Sequence, residues 1–179
     1  MEKLIIGAVR VLGALPVLRW AFVGGLVAIV ADGSDVFLMN LLHLGGLGDY
    51  QHFDKFADQA YLLTFLLVAW RWQGPPRSIA LGLYAYRQVG LIAFEATGRR
   101  ILLLLFPNLF EFWFLFVASL PHWNPQFAFT RRQVLSWGSV LLAAKLTQES
   151  VLHWGRWLDR FTAIEAVEAI WRWLTSPFG

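Results

Sequence analysis

Five of the six aspartates in the chain lie between positions 32 and 58, and four of them, Asp32, Asp35, Asp54 and Asp58, form two pairs. Asp32 and Asp35 are three apart and Asp54 and Asp58 four apart, spacings that place each pair on one face of a helix. Carboxylates gathered from two neighbouring helices repel one another, and a divalent cation is the simplest neutraliser. Hard oxygen ligands favour Mg, Mn or Ca over Zn. Mg or Mn held there brings phosphate chemistry within reach, because the ion bridges phosphate oxygens and stabilises charge during transfer. The competing neutralisers are cationic side chains, with Lys55, Arg87, Arg99 and Arg100 as candidates, or simple hydration of Asp49, Asp54 and Asp58.

A second set of polar residues interrupts apolar sequence farther on. In FPNLFEFWF, Pro107 frees a backbone carbonyl, and Asn108 and Glu111 share a helix face that lines a polar cavity or repairs the kink. Glu95 stands four residues before Arg99 and about two turns after Arg87, so it joins this second polar site as an ion-pairing group. His43, His52, His122 and His153 lie in four separate segments, with no pair at metal-ligand spacing on one helix. There is no cysteine, which removes disulfides, thiol catalysis and thiolate metal sites. LGGLGD is a turn between helices with no strand before it, so it does not read as a phosphate-binding loop.

The elements that position these residues are strongly apolar. Of the 179 residues 58% are hydrophobic and 15% charged, against roughly 25% charged in ordinary soluble chains. The apolar residues run in blocks, and most of the ten tryptophans stand near block ends, the placement of an aromatic belt. The expected fold is therefore all-α: a polytopic transmembrane bundle of about five spans, forming one integral membrane domain over residues 1–179. Residues 1–19, broken at Pro16, are expected as an interfacial helix. Spans are expected at 20–43, within 52–72, at 78–97, at 101–120 and at 133–152, making 20–152 the transmembrane bundle. Residues 153–179 are expected as an amphipathic C-terminal helix, with Phe161, Ile164, Val167, Trp171 and Leu174 on one face. Membrane lipids and further membrane subunits are the expected partners. The net charge of +3 is scattered without a basic run, so nucleic acid is not expected.

The stretch DGSD…DKFAD resembles the signature of the CDP-alcohol phosphotransferase (phosphatidyltransferase) family, D-x2-D-G-x2-A-R followed by G-x3-D-x3-D, over about residues 20–70. The four aspartates match in order. Val36 stands at the family's first glycine, Met39-Asn40 at its Ala-Arg, and Tyr50, two places from Gly48, at its second glycine. The resemblance implies that Asp32, Asp35 and Asp54 ligate metal, with Asp58 at the same centre. It also implies that Asp58 is the catalytic base on an acceptor hydroxyl, which attacks a CDP-linked phosphate and expels CMP. Arg87, Arg99 and Arg100 would then contact phosphate or headgroup, whereas an anchoring role at a span end suits the Arg99-Arg100 pair on its own.

Three functions follow as expectations. One is a Mg- or Mn-dependent phosphoryl-alcohol transferase acting on lipid precursors. Another is a non-enzymatic accessory or structural subunit of a larger membrane complex, which suits the missing motif residues and the many Phe and Trp. The third is an ion- or proton-coupled carrier using Asp32, Glu95 and Glu111 as relay sites.

Overall fold

The computed structural model describes residues 2–33, 50–99 and 101–149, with side chains from residue 6 onward except those of 50–57, 103 and 149. Asp35 and Arg100, the side chain of Asp54 and the expected C-terminal helix therefore lie outside the described residues. Seven helices are described: α1 Glu2–Ala14, α2 Ala21–Gly33, α3 Tyr50–Trp70, α4 Pro75–Thr97, α5 Ile101–Leu105, α6 Leu109–Trp123 and α7 Arg131–Glu149. A 3₁₀ turn, Leu15–Leu18, follows α1.

Each packed helix buries a stripe at the helical repeat. On α6 the stripe is Phe110, Trp113, Phe114, Val117 and Ala118, and on α3 it is Tyr61, Leu62, Phe65, Val68 and Ala69, extended toward the N-terminus by Asp58. These stripes form the core, with Phe65 stacked on Phe114 at 3.9 Å between ring centres. Helix α6 packs against α2, α3, α4 and α7, while α1 packs against α2 and α3. Helix α4 opens on Gly74 at φ 66° followed by Pro75, and closes on Gly98 at φ 66° with its N–H donating to Phe94 O, a glycine and proline placement that stops helices cleanly.

The expectation of membrane spans is overturned, and with it the integral-membrane localisation. Among the described residues no helix is long and apolar enough to cross a membrane. Helix α1 has 13 residues, about 20 Å of helix against roughly 30 Å of hydrocarbon, and the part of the expected 20–43 span beyond residue 33 lies outside the described residues. The longer helices are punctuated by charge: Asp54, Lys55 and Asp58 on α3, Arg77, Arg87 and Glu95 on α4, and Arg131, Arg132, Lys145 and Glu149 on α7. The block expected as one span at 101–120 is two helices, parted at Phe106–Asn108. Nor does α1 stand apart as an interfacial helix, since Ile6, Arg10 and Ala14, on one face, are buried in the bundle. All-α architecture is the part of the expectation that holds. Block hydrophobicity misled because these runs supply both a shared core and sizeable exposed faces.

Candidate functional site

Arg10 reaches from α1 into the space between α2 and α3. Its Nη1 lies 3.0 Å from Asp32 Oδ1 and donates a 3.0 Å hydrogen bond to Asp58 Oδ1. Arg10 is 3% exposed, and Asp58 is also buried. Two aspartates from the expected metal site are thus brought together, around a guanidinium. A buried carboxylate needs a counter-charge, and here one cation from a third helix serves both. The close approach rests on small residues: a Cβ added to Gly24 would run into the backbone of Pro16 and Val17, so α2 can lie against the 3₁₀ turn only with glycine there. Among the described residues no group of three or more His, Asp or Glu could hold a metal ion.

One turn beyond Asp58 the polar interior continues. Asn108 Nδ2 donates to the Tyr61 hydroxyl oxygen at 2.9 Å and to Glu111 Oε2 at 3.0 Å, and Tyr61 OH donates to the same Glu111 oxygen at 3.3 Å. All three residues are buried. Burial pushes the Tyr61 hydroxyl well above its usual pKa of 10.0; Glu111, Asp58 and Asp32 push the same way, and Arg87 opposes them. The phenol is therefore held neutral, able to donate to the carboxylate and accept from the amide.

Asn108 and Glu111 meet as their spacing suggested, at the start of α6. Glu95, expected beside them, is exposed on α4, and the partners of Asn108 are Tyr61 and Glu111. Arg87 is buried, and its Nη1 donates to Phe106 O at 3.1 Å. Tyr86 donates its hydroxyl to Leu105 O. These two α4 side chains satisfy carbonyls freed where Pro107, lacking an N–H, parts α5 from α6. Arg99 is exposed just past α4, where its backbone N–H donates to Thr97 Oγ1.

Two residues central to this interior were not among the candidates, Arg10 and Tyr61. Arg10 had a signal in being the charge at the centre of an apolar block, but its partners lie 22 and 48 positions away. Tyr61 had one too, three residues after Asp58 on the same helical face.

Chemically, the arrangement is one of neutralised and hydrogen-bonded groups. Asp58 accepts a charge-assisted hydrogen bond from a guanidinium, so its Oδ1 is engaged within the fold. Compared with protein-family models, curated proteins and solved structures, the chain finds no match in any of the three.

Proposed function

We propose that the chain is a non-catalytic helical subunit of a larger assembly. The observation that carries this reading is the position of Arg10, whose single Nη1 lies 3.0 Å from both Asp32 and Asp58. Phosphoryl transfer would need those carboxylates as metal ligands and Asp58 as a base, and a cation entering between them would have to displace a buried guanidinium. Charge neutralisation from within the fold suits a structural role.

The exposed faces support the same reading. Val11, Leu12 and Leu15 on one side of the α1 junction and Val23, Leu26, Val27 and Val30 on α2 are all 43% or more exposed. Apolar faces of this kind mark contact surfaces.

The test is the release of CMP from CDP-linked alcohols with an acceptor alcohol and Mg or Mn present, in the intact chain and in Asp58→Asn. No release from either is expected, together with lower thermal stability in Arg10→Gln whether or not the metal is added. Release by the intact chain that disappears in Asp58→Asn would establish the transferase reading instead.

A further inference from the structure

Positive charge and tryptophan collect at one end of the bundle. Phe22 at the start of α2 and His122 at the end of α6 have ring centres 5.9 Å apart, and Trp72, Gln73 and Pro76 line one pocket with Pro121, Asn124 and Phe129. The start of α2, the α3–α4 junction and the α6–α7 junction are therefore neighbours. They carry Arg19, Arg71, Arg77, Arg131 and Arg132, all exposed except Arg77, which is partly buried. Trp20, Trp70 and Trp123, one from each of the same three places, are 63%, 56% and 79% exposed. The Arg77 guanidinium lies 4.8 Å from the centre of the Trp70 ring, a cation–π contact that ties the two residue types together.

The carboxylates belong to the other end. Asp32 lies near the close of α2, Asp58 in the first half of α3, Glu95 near the close of α4 and Glu111 in the first turn of α6, and no acid occurs within residues 59–94 or 112–148. Among the described residues none of the five arginines pairs with a carboxylate. The rest of the chain does not cancel their charge. Within residues 34–49 the acids are Asp35 and Asp49, held by the backbone within two residues of where α2 closes and α3 opens, at the carboxylate end. Residues 150–179 carry Arg156, Arg160 and Arg172 against Asp159, Glu165 and Glu168, a balance of zero. The positive excess at this end is thus independent of the course those residues take, and its field reaches beyond direct contact.

We infer that this end docks on an anionic phospholipid surface, with the protein lying against the headgroups and not crossing them. Guanidinium forks pair with phosphate and carboxylate oxygens of the lipid. Arginines alone would suit any polyanion; the three exposed indoles set among them select the headgroup layer, where a ring with an apolar body and one polar N–H finds both of its environments. A contact made through helix junctions needs no span. The inference stands apart from the reading of the chain as an assembly subunit and does not depend on it.

The experiment is co-sedimentation of the full chain with vesicles of phosphatidylcholine mixed with phosphatidylserine, against vesicles of phosphatidylcholine alone. Binding is expected to the mixed vesicles and is expected to weaken as salt is raised. Arg71→Gln is expected to lower the partition coefficient about fivefold and Arg131→Gln/Arg132→Gln about thirtyfold, whereas Arg99→Gln, which removes the same charge beyond the far end of α4, leaves it within about twofold. Trp123→Ser is expected to weaken binding severalfold. These side chains are all exposed, so unchanged circular dichroism and melting temperature separate lost binding from lost structure. An intact chain that ignores the mixed vesicles, equal losses from Arg71→Gln and Arg99→Gln, or a Trp123→Ser chain that binds as wild type does would overturn the inference. So would tighter binding to a DNA duplex than to the mixed vesicles at the same salt, which would assign the surface to nucleic acid. CMP release tests the buried carboxylates and leaves this inference untouched.

Discussion

Arg10 is the residue on which the interior turns, because it answers two carboxylates at once. Removing one partner of a buried ion pair leaves the other charge uncompensated, which typically costs about 3–5 kcal/mol. Asp32 retains 25% side-chain exposure, so Arg10→Met is expected near the lower end of that range, read from urea denaturation. Asp58→Asn keeps an acceptor for Nη1 and leaves Asp32 in place, so its expected loss is smaller, about 1.5–3 kcal/mol. Tyr61 gives a separate handle. Its pKa is raised in the fold, so the stability linked to its proton is fully present below the unfolded value of about 10 and is lost as pH rises through the higher folded value. Melting temperatures measured from about pH 9 to 11 are expected to fall more steeply in wild type than in Tyr61→Phe. Burial raises the Tyr84 hydroxyl in the same direction, so the alkaline slope is reduced and not abolished.

At the scale of elements, the joint between α5 and α6 shows how one helix stabilises the end of another. Pro107 interrupts the backbone ladder, and α4 meets the joint with Arg87 and Tyr86 and with the bare surface of Gly90. A Cβ at Gly90 would collide with Cβ and Cγ of Phe106, the rigid part of that side chain. Gly90→Ala is therefore expected to destabilise by roughly 1–3 kcal/mol despite its better helix propensity, whereas Gly82→Ala, where nothing lies within 4 Å, is expected to be neutral or stabilising. Thermal melts of the pair check this. Local rules made some of this readable in advance: the meeting of Asn108 with Glu111 follows from helical periodicity, and the end of α4 at Thr97 falls where the expected segment 78–97 closes. The partners from other helices did not follow. Nothing local ties Arg10 to Asp58, or Tyr61 to Asn108, because those contacts depend on how α1, α3 and α6 are brought together. Likewise, block hydropathy registers how apolar a stretch is and not which of its faces meets another helix, so segments that share one core read as separate spans.

For the whole molecule, α6 is the central strut, touching α2, α3, α4 and α7, while α5 is five residues long with Ile101, Leu104 and Leu105 exposed. Opening free energies follow burial and contact. Amide exchange followed by mass spectrometry is expected to be slowest in α6 and fastest in α5 among the described helices, and Phe114→Ala, which removes the ring stacked on both Phe65 and Trp72, is expected to cost about 3–5 kcal/mol.

Trp113 is 2% exposed and donates its indole N–H to Pro76 O at 3.1 Å, so it ties the start of α4 to the middle of α6. Trp20, Trp70, Trp123 and Trp137 are all more than 40% exposed. In a variant with phenylalanine at Trp72, Trp154, Trp157, Trp171 and Trp173, an aqueous quencher that silences those surface indoles leaves the light of Trp113, a built-in optical gauge of whether the centre of the bundle is closed.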